Sequence, residues 1–177
     1  MRWKLVALAL ILFVKQDALT SNFQDGQDDS ISGGPHIECR VTTTDAQWRR
    51  GKKNPLVSVK LEAGNAVNVS VMPSLHLMAL PKQAGPREDE YWAPFSMTDG
   101  KEIHDWQLLD LPPGSPVSVQ VSPVRLLWGL TKSSGSIWPT QRFSKAVLPG
   151  KYSLQVQIET KNGRTISSNE IEITVAR

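Results

Sequence analysis

The nine residues KYSLQVQIE, 151–159, show most clearly which kind of fold the chain adopts. Apolar residues occupy every second position, at Tyr152, Leu154, Val156 and Ile158, and the residues between them are polar. Successive side chains of a β-strand point to opposite faces of a sheet, so this alternation predicts a strand with one buried and one solvated face. Residues 161–164, with Asn-Gly at their centre, predict a hairpin turn, because Asn and Gly tolerate the positive φ angles of such turns.

Five further stretches show the same period of two residues. They lie at residues 37–41, 56–62, 66–71, 116–122 and 169–175. Ala63-Gly64-Asn65, between the second and the third stretch, predicts another hairpin turn. No stretch beyond Pro35 has a clear helical period. Seven to nine short strands joined by Pro- and Gly-containing turns are typical of an all-β, antiparallel β-sandwich.

The first 35 residues differ from the rest in composition. Arg2 and Lys4 precede an apolar run at residues 5–14, which is shorter than the ~20 residues of a membrane-spanning helix. This pattern is typical of a secretory signal peptide, although an uncleaved anchor stays open as an alternative. We expect a signal peptide at residues 1–21, a flexible tether rich in Gly, Ser and Asp at 22–35, and the β-sandwich domain at 36–177. The domain would then lie outside the cytoplasm, in the periplasm, at the cell surface or secreted, with no membrane span in the mature chain.

Charge and cysteine content exclude two classes of protein. The formal net charge is +3, and removal of the basic leader leaves the mature chain nearly neutral, so no broad basic field predicts a nucleic-acid partner. The single cysteine, Cys39, forms no disulfide within the chain. Because Cys39 alternates with Ile37 and Val41, we interpret it as a small buried apolar residue.

The stretch FSMTDGKEIHDW, residues 95–106, is the densest cluster of titratable residues. Its Asp-Gly pair predicts a hairpin that places Glu102 and His104 on one polar face. Two ligands are fewer than the three or four that metal sites need, so no metal is predicted. His76 lacks the Gly-x-Ser-x-Gly motif of a serine hydrolase and is interpreted as a surface or edge histidine. No phosphate loop or dinucleotide fingerprint occurs, so we predict neither catalysis nor a cofactor.

Two long connections, residues 81–94 and 129–147, carry aromatic residues that suit a binding surface. The candidate contact residues are Tyr91, Trp92 and Trp138, together with the basic loop of Arg49, Arg50, Lys52 and Lys53. Loop aromatics anchor partner proteins or stack on sugar rings. They equally cap the ends of a sandwich, and a basic loop is often only solvated.

Several stretches, taken in order, resemble small bacterial intracellular-proteinase-inhibitor-like domains. They are PLVSVKLEAGNAVNVSV (55–71), FSMTDGKEIHDW (95–106), LDLPPGSPVSVQV (109–121), LLWGL (126–130) and LPGKYSLQVQI (148–158). The resemblance covers about residues 41–159 and implies an immunoglobulin-like β-sandwich. The Ala-Gly-Asn turn departs from the Asn-Ser or Asn-Thr pattern of that group, so no inhibitory loop is carried over.

These observations lead to one expected function and two alternatives. We expect an exported, non-catalytic module that binds an unknown protein partner. The first alternative is a carbohydrate-binding module that uses the loop tryptophans on a polysaccharide. The second, which rests on the resemblance alone, is a proteinase inhibitor.

Overall fold

The computed structural model describes residues 36–49, 55–80, 90–132, 135–136 and 138–176. The predicted signal peptide and tether lie outside these residues, as do Arg50, Lys52 and Lys53 of the basic loop.

Within the described part of the chain, almost all regular structure is β. The strands are β1 (Ile37–Thr43), β2 (Gln47–Arg49), β3 (Val57–Ala63), β4 (Val67–Ala79), β5 (Glu90–Pro94), β6 (Gln107–Leu111), β7 (Val117–Val121), β8 (Leu127–Lys132), β9 (Gly135–Ser136), β10 (Gln141–Arg142), β11 (Gly150–Thr160), β12 (Thr165–Ser167) and β13 (Ile171–Ala176). A 3₁₀ turn at Pro123–Arg125 and the short helix α1 (Phe143–Ala146) complete the elements. The all-β prediction is therefore confirmed.

The strands form two sheets of unequal size. The small sheet has the order β1-β3-β7, and the main path of the large sheet is β10-β8-β5-β4-β11-β13-β2, with β6, β9 and β12 paired to β4, β8 and β11. The large sheet curls into a half-barrel. It is mixed rather than antiparallel, because β2 pairs in parallel with β13.

One hydrophobic core serves both sheets. The inward residues of β11 (Tyr152, Leu154, Val156 and Ile158) are all buried there, as their alternation predicts. Core residues of the small sheet, such as Val59 and Val121, belong to the same cluster. Trp48 and Trp128 both pack against Phe143, with ring centroids 5.8 Å and 5.6 Å from its ring. Because the large aromatics and both sheets share one core, the described residues from 36 onward form a single packed unit.

Two local predictions are wrong. The strand number exceeds nine within the described residues, because β2, β9, β10 and β12 span only two or three residues and show no detectable period. Ala63-Gly64-Asn65 is not a hairpin turn: β3 lies in the small sheet and β4 in the large one, so this turn crosses between sheets. The turn at 161–164 does join paired strands, β11 and β12, and Gly163 has a φ of 86° there.

Pro73 lies in the middle of β4, where a missing backbone donor normally ends a strand. Residues before it pair with β6, and residues after it pair with β5. Its carbonyl accepts a hydrogen bond from Phe95 N at 3.0 Å. The N–H and C=O positions of a strand residue lie on the same side. The missing N–H of Pro73 therefore belongs to the edge of β4 where pairing changes from β6 to β5. No bond to β11 is lost, and β4 continues through the proline.

Cys39 is buried on β1, as predicted. Burial raises the pKa of its thiol to about 12, so the group stays protonated at neutral pH. It therefore acts as a small apolar core residue.

Candidate functional site

Four large apolar side chains are exposed in the described part of the chain: Trp106 (39%), Leu108 (66%), Trp138 (43%) and Leu148 (59%). Two of the four, Trp138 and Leu148, line the same cavity. Apolar residues scattered singly over a protein surface are normal. Trp138 and Leu148 differ because they line one cavity. It marks the surface around Trp138 as the strongest candidate site.

Trp138 is held in place by two other rings. Its ring lies edge-on to Trp92, with centroids 5.4 Å apart, and its centroid is 6.4 Å from that of His104. Trp92 pairs with Gly129 on β8, and cross-strand partners point to the same face of the sheet. Because Gly129 has no side chain, the face beside Trp92 is open for the ring of Trp138.

The hairpin before β6 supplies the polar border of this aromatic cluster. His104 Nε2 lies 2.9 Å from Glu102 Oε1, and Arg142 approaches the other oxygen of Glu102 at 3.9 Å. The predicted placement of Glu102 and His104 on one face is confirmed. Arg142 also donates to the carbonyl of Arg125 at 2.8 Å, so the border is a connected network rather than separate charges.

The cavity beside Trp138 has a volume of about 300 Å³. Its apolar lining is Tyr91, Trp128, Leu130, Trp138, Ala146 and Leu148. The backbone of Gly129 and the side chains of Thr140 and Gln141 complete it. Few polar groups thus face its interior, and the cavity suits an apolar group. We call it the Trp138 pocket.

The segment that forms most of this pocket has an unusual charge composition, which the sequence analysis did not identify. Residues 111–158 contain no Asp or Glu but five basic residues: Arg125, Lys132, Arg142, Lys145 and Lys151. All of the pocket lining except Tyr91 comes from this segment. The exposed residues Arg142 and Lys145 directly follow or precede lining residues. The absence of acids over 48 residues was the available signal that this region differs from the rest of the chain.

The structure brings together only some of the residues expected to form the contact surface. Trp92 and Trp138 touch each other, although Trp92 lies in strand β5 and not in a loop. Tyr91 is only 5% exposed and packs edge-on against Tyr152, so it forms a wall of the pocket rather than part of the outer surface. Arg49 is exposed at the end of β2, and Arg50, Lys52 and Lys53 lie outside the described residues.

Ser74, His76 and Glu90 form a hydrogen-bonded row on the outer face of the large sheet. Ser74 Oγ lies 2.9 Å from His76 Nε2, and His76 Nδ1 lies 2.9 Å from Glu90 Oε1. His76 does not lie at an edge, because β4 is the central strand of the large sheet; on the outer face its side chain is only 12% exposed. The connectivity is that of a Ser-His-acid triad.

This row is better explained as structure than as catalysis. Ser74 is only 4% exposed, whereas a nucleophile must reach its substrate. Its hydroxyl also lies 3.4 Å from the carbonyl of Gln157 on β11. The row therefore links β11, β4 and β5 on the same face of the sheet as Trp92, the cross-strand partner of His76.

A second cavity, of about 430 Å³, lies over the polar face of the small sheet. Arg40 and Lys60, which are cross-strand partners, both line it, but Arg40 lies 3.5 Å from Glu38 and Lys60 lies 2.9 Å from Glu62. Because both cations already have carboxylate partners, this face is an ordinary solvated sheet surface. Among the described residues, no group of three or more His, Cys, Asp or Glu side chains is arranged to hold a metal ion. None of the helices described is long and apolar enough to span a membrane.

Comparison with known proteins places the chain in no family. No family model and no curated protein matches it. Distant likeness exists to parts of larger solved structures. One is the alkylpurine DNA glycosylase AlkC of Pseudomonas fluorescens, with 10% identity, a TM-score of 0.41, and coverage of 81% of this chain and 31% of the other. Another is the β-glucosidase of Listeria innocua, with 11% identity, a TM-score of 0.39, and coverage of 81% of this chain and 16% of the other. A third is EmGH1, a β-glucosidase of Erythrobacter marinus, with 17% identity, a TM-score of 0.36, and coverage of 80% of this chain and 16% of the other. The chain thus spans less than a third of each of these proteins, and the matches indicate only a β-rich domain.

Proposed function

We propose that the protein is an exported, non-catalytic module that binds a protein partner through the surface around Trp138. The observation that supports this most is the pairing of two exposed apolar residues, Trp138 and Leu148, at one apolar cavity. Protein interfaces have an apolar, aromatic-rich centre and a polar rim. The lining of the Trp138 pocket and the network of Glu102, His104 and Arg142 fit that description.

The location outside the cytoplasm and the finer fold assignment belong to the same proposal. Export rests on the basic start and the apolar run at residues 5–14. The immunoglobulin-like sandwich and the likeness to proteinase-inhibitor-like domains rest on the strand and turn stretches quoted above. The sharing of one core by two sheets supports the sandwich assignment.

Carbohydrate binding is the alternative that uses the same tryptophans. A sugar-binding platform needs aromatic faces that are exposed and nearly parallel, with polar side chains beside them. Trp92 and Trp138 instead meet at 85°, and the cavity that Trp138 lines is mainly apolar. This geometry favours a protein side chain over a sugar ring.

Affinity capture with matched variants tests the proposed function. The mature chain, residues 22–177, serves as bait for the extracellular fraction of the cells that produce it naturally. We expect a specific protein to be retained by the wild type and by Trp106→Ala, but not by Trp138→Ala. Trp106 is a close control, because its exposure of 39% matches the 43% of Trp138.

Three results would contradict the proposal. One is identical capture by all variants, and another is specific binding on a glycan array, which would support the carbohydrate alternative. The third is inhibition of a purified protease by the wild type and by Trp138→Ala alike, which would place the function elsewhere on the molecule.

A further inference from the structure

The size of the Trp138 pocket restricts what enters it. At about 300 Å³, it lies at the lower limit of cavities that hold small molecules. Its lining residues are mainly aromatic and aliphatic, with Thr140 and Gln141 as the polar exceptions. Burying a polar group there without partners costs free energy, so the occupant is a single apolar group.

The charges around the pocket restrict what carries that group. Lys145 precedes the lining residue Ala146, and Arg142 follows the lining residue Gln141, and both are exposed. Lys151, also exposed, lies three residues after Leu148. Two acids also lie near these residues: Glu102 is paired with His104 and Arg142, and Glu90, which precedes the lining residue Tyr91, is paired with His76. The segment at residues 111–158, which supplies most of the lining, has five basic residues and no Asp or Glu. This positive segment attracts acidic partners and disfavours basic ones.

We propose that the pocket receives one apolar side chain from an acidic segment of the partner protein, whose Asp and Glu residues face Arg142, Lys145 and Lys151. This inference rests on the proposed function and specifies the chemistry of the partner. The apolar side chain supplies the anchor, in a site where Trp138 and Leu148 cover it from water. The acidic residues supply specificity and accelerate association.

An anionic membrane surface also combines negative charge with apolar groups, so it is the alternative ligand for this pocket. The geometry favours the peptide, because the ring of Trp138 packs against Trp92 and His104. Of the four large apolar side chains that are exposed among the described residues, Trp138 and Leu148 line this pocket. A concave pocket that holds one group suits a side chain, whereas membrane insertion requires an apolar face that projects.

Selection from a phage-displayed library of random peptides on the folded protein tests this inference. We expect enrichment of peptides with one Leu, Ile, Met or Phe flanked by Asp and Glu. Binding of a synthetic peptide from the selected set should weaken about tenfold or more in Trp138→Ala and in Leu148→Ser. It should weaken clearly in Lys145→Glu and with added salt, because screening reduces exposed charge attraction.

Matched controls separate the pocket from the rest of the surface. Leu108→Ser removes a leucine of comparable exposure (66% against 59%), and Lys161→Glu makes the same charge change at the exposed turn between β11 and β12. Both should bind the peptide like the wild type.

Several outcomes would overturn the inference. They are enrichment of peptides without acidic residues, no enrichment at all, equal binding by Lys145→Glu, or binding to phosphatidylcholine vesicles that contain about one fifth phosphatidylserine. If capture of a partner still depends on Trp138 in any of these cases, the proposed function stands and only the partner chemistry is wrong. If capture does not depend on Trp138, both fail.

Discussion

Gly100 is the residue at which backbone conformation and packing both demand glycine. It has a φ of 68° in the turn before Glu102, and a Cβ there would lie 2.2 Å from the carbonyl oxygen of Gln120 on β7. Gly100 thus lets the hairpin approach the small sheet. We expect Gly100→Ala to lower the free energy of unfolding by about 2–4 kcal/mol, from left-handed strain and overpacking together. Urea unfolding measures this change.

Gly114 is a control that separates the two causes. Its φ is 67°, and a Cβ there would have no heavy atom within 4 Å. Gly114→Ala should therefore cost only the conformational strain, about 1 kcal/mol. Equal losses in the two variants would show that the close approach to Gln120 does not stabilise the fold.

Cys39 gives a prediction about pH. Burial raises the pKa of its thiol from 9.0 to about 12, so between these values the folded state binds more protons than the unfolded state. Its contribution is complete below about pH 9 and is lost as the pH rises towards 12. Between pH 8 and 10.5, wild-type stability should fall by about 2 kcal/mol more than that of Cys39→Ala.

Urea unfolding of both proteins at the two pH values checks this, and the shared Lys and Tyr titrations cancel in the comparison. Parallel losses in the two proteins would mean that the Cys39 thiol is not buried in the folded state.

At single residues, the sequence predicted burial better than contacts. Cys39 and the inward residues of β11 alternate with polar neighbours, and one strand alone displays that pattern. The ring contacts of Trp138 with Trp92 and His104 join three segments distant in the chain. No local pattern predicts such contacts, because they depend on how the strands are ordered in the sheet.

Among the elements, β1 is linked to the large sheet not only through the core but also by the side chain of Asn169. Asn169, between β12 and β13, accepts a hydrogen bond from Val41 N at 2.9 Å and donates to Val41 O at 3.1 Å. Its amide thus acts as a strand partner on the edge of β1. We expect Asn169→Ala to lower the free energy of unfolding by about 2 kcal/mol, because both backbone groups lose their partner.

Hydrogen exchange at the Val41 amide is the most direct readout, since its protection should fall in Asn169→Ala. A useful control is Asn162→Ala, which alters an exposed hairpin turn and should leave the Val41 amide protected. Unchanged protection in Asn169→Ala would contradict the role of Asn169 as a link.

The elements also show why some strands escaped prediction. The prediction for β4 ended at residue 71, because Pro73 reads as the end of a strand. β4 accommodates Pro73 because its partner strand changes there from β6 to β5. That change is a property of the whole sheet and not of the local sequence. The Ala63-Gly64-Asn65 turn was misinterpreted for a related reason: a turn between two alternating stretches looks the same whether the strands pair or separate into different sheets.

At the scale of the whole molecule, one core implies one unfolding transition. Residues of the small sheet, such as Val59 and Val121, and of the large sheet, such as Leu154, belong to a single cluster. Tryptophan fluorescence follows Trp48 and Trp128 in this core, and circular dichroism follows all strands. We expect the two signals to give coincident urea transitions, as two-state unfolding requires. Separate midpoints would show that the two sheets unfold independently.

Comparison of the whole molecule with known proteins does not indicate a function, so function is inferred from the candidate site. No family model matches the chain, so the proposal depends on the Trp138 pocket and on the basic segment that forms most of it. The sequence identified Trp138 and Trp92 as candidates, but the pocket walls Trp128 and Ala146 were placed there only by the curl of the large sheet.

Site-specific photocrosslinking tests the binding role of this pocket most directly. A benzophenone amino acid replaces Leu148 at the pocket mouth or, as the control, the equally exposed Leu108 on β6, and the protein is irradiated in the cells that naturally produce it. We expect a discrete crosslinked protein from position 148 and none from position 108. The absence of an adduct at position 148, or the same adduct from both positions, would contradict a binding role for the Trp138 pocket.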